Sequence, residues 1–290
     1  MLKEKEFIDS TVLCMNSVFE KLSNSLDKNS DSSKIGQLKE LLAPGKLLRT
    51  RLAFALSSQS SLSPDLVKAA AATELIHSAT LFHDDVIDGA DIRRAKPTMW
   101  KMIGSTGAIL LGDLFFCSAV ELVLSASNPK LGKAFAAKLC QLCEAELEHE
   151  FCVDAETASI DSAEHLSRGK TGTLFAYVAM ATAIDDDEKS AVLEEVGFLI
   201  GAAYQFHDDL LDIKGDEGQI GKTLGTDADR DKFTLAQLSD GETIINREIN
   251  RLCTKAVALL KGYPELQYNL RNYIKTNLLP SWKLNLEKVG

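Results

Sequence analysis

Two stretches of this sequence carry side chains suited to gripping a phosphorylated substrate through metal ions. Phe82-His-Asp-Asp-Val-Ile-Asp88 and Phe206-His-Asp-Asp-Leu-Leu-Asp212 both read F-H-D-D-x-x-D and lie 124 positions apart. On a helix the first and last aspartates of each box are four residues apart and share a face, one turn from each other. Like charges at that spacing destabilise a helix unless something positive neutralises them. Leu81, Val86, Ile87, Leu210 and Leu211 flank the carboxylates, which places them at the edge of an apolar core. Magnesium suits such a site: it is hard and octahedral, and it is usually held by one or two carboxylates together with substrate phosphate oxygens. One box alone would read equally well as a solvated acidic face. Two near copies on apolar helices favour a cluster of Mg²⁺ around a diphosphate.

Basic residues follow the same plan. Pro44-Gly45-Lys46-Leu-Leu-Arg49 sets Lys46 and Arg49 three apart at a helix entrance, a position that favours anions. Arg93 and Arg94 come five residues after the first box; Gly221-Lys222-Thr223 and Arg230-Asp231-Lys232 follow the second. Any one of these pairs would be ordinary surface, and their repeated place after an acidic box is what gives them meaning. Gly221-Lys222-Thr223 is not a P-loop, because Asp216 stands where that motif needs glycine and the segment follows a helix rather than a strand. Cys140-x-x-Cys143 is a single pair inside a helical pattern and falls short of a zinc site. His83-Asp84 and His207-Asp208 hint at a phosphohydrolase, but five histidines in all leave little to build one from.

Helices must position these groups. The six prolines punctuate long segments whose apolar residues recur at three and four. Ser63-Pro64 predicts a helix start leading through Ala69–Ala72 to Asp88, and Asn128-Pro129 predicts one running to about Phe151. Asp185 with Glu188 reads as a capping box for a helix reaching Asp212. Alternating strands joined by tight turns are not evident. The fold expected is all-α: one domain over residues 1–290, a helical bundle around a central cavity. Two working loops interrupt it, around Gly89–Met102 and in the Gly-rich Lys214–Thr226, whose length suggests a lid.

Composition narrows the function further. Thirty-two Lys and Arg against 42 Asp and Glu give a net charge of −10, the wrong sign for a nucleic-acid binder. Forty-five per cent hydrophobic and 26% charged residues are globular proportions, which exclude disorder and fibre. The first residues mix acids with bases and lack an apolar signal core, and Thr171–Ile184 is too short for a membrane span. A cytoplasmic location with six reduced cysteines is the expectation.

Taken together, Gly45-Lys46-x-x-Arg49, His77-x6-Asp84-Asp85-x-x-Asp88-x4-Arg93-Arg94, Lys170-Thr171, Gln205-x2-Asp208-Asp209-x-x-Asp212 and Gly221-Lys222…Lys232-x-Thr234-Leu235 resemble the trans-type polyprenyl diphosphate synthases. The resemblance runs in register from about residue 43 to 235. It implies a prenyltransferase of the isoprenoid synthase type, usually a homodimer, using a cluster of three Mg²⁺ ions. Asp84, Asp88 and Asp208 would hold metal, supported by Asp85, Asp209 and Asp212. Arg93, Lys170, Lys222 and Lys232 would contact an allylic diphosphate, and Thr171 and Gln205 would lie along the developing cation. Lys46, Arg49, His77 and Arg94 would bind isopentenyl diphosphate. The chain departs from the family pattern at Pro44, Leu47, Asp231 and Ala236, where glycine, arginine, glycine and proline are usual, and His207 is an uncommon lead-in.

Product length follows from the wall behind the first box. Short-chain members block it with aromatics four or five residues before the first aspartate; here Thr80 and Ala79 stand there, with Ile76, Thr73 and Ala72 deeper. A helix turn of about 5.4 Å nearly matches one isoprene unit, so an open wall predicts several additions, to about C30–C40, as for a quinone side chain. Phe135 or Leu139 could instead form a floor and set a shorter limit. Two rival readings are a terpene cyclase, which would not need Lys46, Arg49 and Arg94, and a non-catalytic partner subunit, which would carry degenerate boxes.

Overall fold

The computed structural model describes residues 2–26, 45–57, 63–93, 96–151, 159–214 and 241–279. Along them run α1 (Leu2–Leu26), α2 (Leu48–Leu56), α3 (Pro64–Ile87), a two-stranded ribbon β1 (Ile92–Arg93) and β2 (Lys96–Pro97), α4 (Met99–Leu124) and α5 (Pro129–Phe151). Then come α6 (Ile160–Ser167), a π-helical turn (Arg168–Gly172), α7 (Thr173–Ala181), α8 (Asp187–Lys214), α9 (Gly241–Leu259) and α10 (Pro264–Tyr273), which runs into a second π-helical segment (Ile274–Leu278). The fold is a single all-α bundle, as the periodicity predicted. The ribbon, with Ile92 opposite Pro97, is a small addition that two-residue strands cannot announce by alternation.

The starts of the two proline-led helices behave as read. The Ser63 hydroxyl accepts the Leu66 amide with Pro64 in the first turn of α3, and the Asn128 side chain accepts the Lys130 amide ahead of α5. The start of α8 is one residue later than the sequence suggested. Asp186, not Asp185, takes the capping place, its carboxylate accepting the Lys189 amide at 3.0 Å, while Asp185 instead accepts from the Asn128 amide nitrogen at 2.9 Å. Adjacent aspartates compete for one cap, and the tie to Asn128 draws Asp185 out of it.

α3 packs along α4, and α8 packs along both α7 and α9. Leu52, Leu75, Ile76, Phe115, Phe135, Phe175 and Phe206 lose essentially all contact with solvent. Each contributes about 1.5–3 kcal/mol of burial. Backbones come close where α8 meets the π-turn and α7: a Cβ on Gly201 would stand 2.4 Å from the Gly172 Cα, and one on Gly197 2.4 Å from the Ala176 Cα. Backbone cannot yield cheaply, so Gly201→Ala is expected to cost about 2–3 kcal/mol of stability in a denaturant titration. A variant as stable as the parent would refute this packing.

Candidate active site

Both acidic boxes lie in the last turns of their helices. Asp84 and Asp85 sit in the final turn of α3; Asp88 is its C-terminal cap, donating its amide to the Asp84 carbonyl at 2.7 Å, and Gly89 follows at φ +64° to turn the chain away. Asp208 and Asp209 lie near the end of α8, and the backbone of Asp212 is in its last turn. Helix C-termini carry the negative end of the macrodipole, so carboxylates there are placed against the field and call for a cation.

Electrostatics at Asp84 make that demand concrete. Burial, then repulsion from Glu146 and Asp88, push its carboxyl up to about 7, against the pull of Lys170 and Arg93. Asp85 already has a cationic partner. Its side chain is 3% exposed, and its Oδ1 accepts from Arg93 Nε at 2.8 Å and Nη2 at 2.7 Å. Burial raises the Asp85 carboxyl even against that partner. Asp85 thus anchors Arg93 beside the box. The loop is pinned further by Ala90, whose carbonyl accepts from the Thr98 hydroxyl at 2.8 Å and the Trp100 indole at 2.7 Å.

Between the two boxes lies the π-turn. Lys170 Nζ reaches Glu146 Oε2 at 2.8 Å and His149 Nδ1 at 3.1 Å, both on α5. The next residue faces α8: the Thr171 hydroxyl donates to Gln205 Oε1 at 2.5 Å, and Gln205 Nε2 donates to Asp209 Oδ1 at 2.8 Å. Adjacent residues therefore tie the cationic side of the first box to the second. Glu146 and His149 were missed in the sequence. Their spacing of three on a helix that runs to Phe151 was the available signal, since it puts both on one face.

The basic entrance divides. Lys46 is exposed, with its carbonyl taking the Arg51 Nε. Arg49 does not stand at an open helix mouth but turns inward, 7% exposed, its guanidinium 4.9 Å from the centre of the Phe175 ring and its buried Nε unpaired. Burial pulls its pKa down, with Glu74, Tyr204 and Tyr273 opposing. Leu47, which precedes α2 at φ +51° in the left-handed region, turns the chain so that this happens. His77 is half-buried on α3, with its carbonyl accepting the Thr80 hydroxyl. Ala79 and Ile76 are fully buried, and Thr80 is half-buried. Arg94, Lys222, Lys232, the Gly-rich segment from residue 215 and the Asp212 side chain lie outside the described residues.

Among the described residues no three His, Cys, Asp or Glu side chains converge closely enough to enclose a metal ion. Carboxylate oxygens offered singly or in pairs at the ends of two helices fit magnesium's habit of completing its shell with water and substrate phosphate. Cys140 and Cys143 are exposed on α5 and belong to no such group.

Comparison with known proteins gives the family and the fold. The profile described as polyprenyl synthetase matches residues 35–254. The chain is 32% identical over 248 residues to the short chain isoprenyl diphosphate synthase of Methanothermobacter thermautotrophicus, covering 79% of this chain and 76% of that one. It is 31% identical over 218 residues to the octaprenyl diphosphate synthase of Escherichia coli, covering 72% and 67%. Among solved structures, the polyprenyl synthase of Caulobacter crescentus CB15 complexed with calcium and isoprenyl diphosphate shares the fold, with a TM-score of 0.76 at 24% identity over 93% of this chain and 95% of that one. The chain belongs to the polyprenyl synthetase family.

Proposed function

We propose that this prenyltransferase is Mg²⁺-dependent and adds isopentenyl diphosphate repeatedly to a farnesyl or geranyl diphosphate, in trans additions, giving a polyprenyl diphosphate of about C30–C40. The observation that carries the reading is the alternation of charge around the π-turn: Asp84 with Glu146 on one side of Lys170, and Thr171 with Gln205 and Asp209 on the other. Diphosphate leaves poorly until its charge is neutralised. Mg²⁺, when held by Asp84, Asp88 and Asp208, supplies that neutralisation, and a three-ion cluster would draw on Asp209 and Asp212 as well. Lys170 and Arg93 fix the phosphate oxygens from the protein side, joined by Lys222 and Lys232. Thr171 and Gln205 line the allylic cation that remains, and the buried apolar residues of α3, α7 and α8 keep water from it. Lys46, Arg49, His77 and Arg94 hold isopentenyl diphosphate so that its double bond attacks. The released diphosphate is the base for the final proton, and no side-chain nucleophile takes part.

Long products are supported by the wall behind Asp84. Ile76, Ala79 and Thr80 offer no aromatic plug. Phe82, the only Phe, Tyr or Trp of α3, lies two residues from Asp84 on the far side of the helix, edge-on to Phe115 (5.4 Å), which in turn stacks with Phe19 (5.3 Å). The related synthases named above include both a short-chain and an octaprenyl enzyme, so the wall must decide the length. Purified protein incubated with Mg²⁺, labelled isopentenyl diphosphate and farnesyl diphosphate is expected to yield one dominant prenyl alcohol beyond C20 after dephosphorylation. Label that never enters the lipid phase with either starter would sink the synthase reading for this chain alone.

A homodimer is part of the same proposal. α4 is long and apolar enough to cross a membrane, with a mean hydropathy of 1.9 over eighteen residues, yet only 33% of that window is buried. Ile109, Leu110 and Leu114 on α4, with Leu147 and Phe151 on α5, stand exposed, and a second copy would cover them. Leu110→Arg is expected to sediment as a monomer, whereas the parent sediments as a dimer. A dimeric variant would move the interface elsewhere.

A further inference from the structure

Lys170 and Thr171 do not ride on an α-helix but on the π-turn Arg168–Gly172, an uncommon conformation that needs support from its surroundings. The turn is wedged at both ends. A Cβ on Gly169 would meet the Ala145 Cβ of α5 at 2.5 Å, and one on Gly172 would meet the Phe198 carbonyl of α8 at 3.1 Å. Its first residue is then clamped. Arg168 Nη1 and Nη2 reach Glu195 Oε1 and Oε2 at 3.1 and 2.5 Å, a two-pronged pair, while the guanidinium lies 5.0 Å from the centre of the Phe198 ring. Glu195, Phe198 and Gln205 recur at three and seven residues along α8, which places the clamp and the Thr171 partner on one face. Among the described residues neither Arg168 nor Glu195 pairs with a carboxylate of the acidic boxes.

We propose that Arg168 and Glu195, with Phe198, are positioning residues for prenyl transfer: they hold the π-turn in the one register that sends Lys170 to α5 and the first acidic box and Thr171 to Gln205. Without the clamp the widened turn is free to relax toward regular α-helix, which rotates both side chains away from their partners while the bundle stays folded. The proposal rests on the reading of Lys170 as a contact of the allylic diphosphate and of Thr171 as lining the allylic cation.

The test compares Arg168→Ala, Arg168→Lys, Glu195→Gln and the double variant Arg168→Ala/Glu195→Gln with Lys130→Ala. That control removes a different ion pair between α5 and α8, Lys130 with Asp187 at 3.1 Å. Arg168→Ala is expected to lower kcat and raise KM for the allylic diphosphate by about tenfold each, with KM for isopentenyl diphosphate unchanged within about twofold. Arg168→Lys recovers only part of the loss, Glu195→Gln reproduces it with the side-chain shape retained, and the double variant is no worse than Arg168→Ala alone. A readout apart from turnover is the rise in melting temperature on adding Mg²⁺ with inorganic diphosphate, which shrinks in Arg168→Ala and Glu195→Gln but not in Lys130→Ala. Clamp variants that keep the parent's kinetics and melting shift overturn the proposal, as does an equal loss toward both substrates. A parent protein that neither elongates nor gains melting temperature with Mg²⁺ and diphosphate overturns the site reading itself, a failure distinct from that of the clamp.

Discussion

Asp84→Asn is expected to lower prenyl-transfer turnover about a thousandfold and, in the same protein, to raise the stability of the metal-free fold at pH 8. The two effects share one cause. Asp84 sits buried at the negative end of α3 beside Glu146 and Asp88, and its carboxyl is pushed up to about 7. Its pKa is higher folded than unfolded, so the folded state binds the proton more tightly. The contribution of Asp84 to stability without metal is therefore fullest near pH 4 and is lost as pH rises toward and through 7, where the buried carboxylate must ionise. Asparagine keeps the shape and never ionises, so it removes that loss. Its advantage over the parent should vanish by about pH 4, and Mg²⁺ should erase it at pH 8 by stabilising only the parent. Chemical denaturation at pH 4, 6 and 8 with and without Mg²⁺ measures this. A parent whose metal-free stability is flat across that range, or an Asp84→Asn protein with near-parental turnover, would refute the assignment.

Lys170→Gln should lower kcat/KM for the allylic diphosphate about a hundredfold and leave KM for isopentenyl diphosphate near the parent value. Lys170 is the cation the fold directs toward the first box, 2.8 Å from Glu146, and it opposes the upward push on Asp84. Its removal costs a charge-assisted contact to the leaving group and leaves Glu146 and Asp84 facing each other with less compensation. The metal-free variant should therefore lose more stability between pH 5 and 8 than the parent, opposite in sign to Asp84→Asn. Initial rates with each substrate varied in turn, and melting across that pH range, separate the effects. Equal changes in the two KM values would place Lys170 outside the allylic site.

The sequence was sufficient for the all-α architecture and for nominating the acidic boxes because both depend on short-range spacing. Proline after a capping residue places the starts of α3 and α5, and aspartates four apart on apolar helices announce like charge in need of a cation. The repeat of one box 124 residues later turned a common surface pattern into a specific one. Where adjacent residues competed, as Asp185 and Asp186 do for the cap of α8, local pattern could not choose, because the deciding bond to Asn128 comes from another helix.

Other features exist only once distant helices meet. Arg49 reads as a surface cation at a helix mouth, yet the left-handed turn at Leu47 and the Phe175 ring on α7 draw it into the core. Asp85 reads as a supporting carboxylate of the metal cluster, and only the fold shows that Arg93 returns onto it. Glu146 and His149 gain meaning only because the π-turn delivers Lys170 to them, and Arg168 finds Glu195 only across the α8 interface. The sequence by itself determined which residues carry charge and on which helix face. The tertiary structure decided which charges are paired, which are buried and which remain short of a partner, because those depend on desolvation and on contacts between segments far apart in the chain.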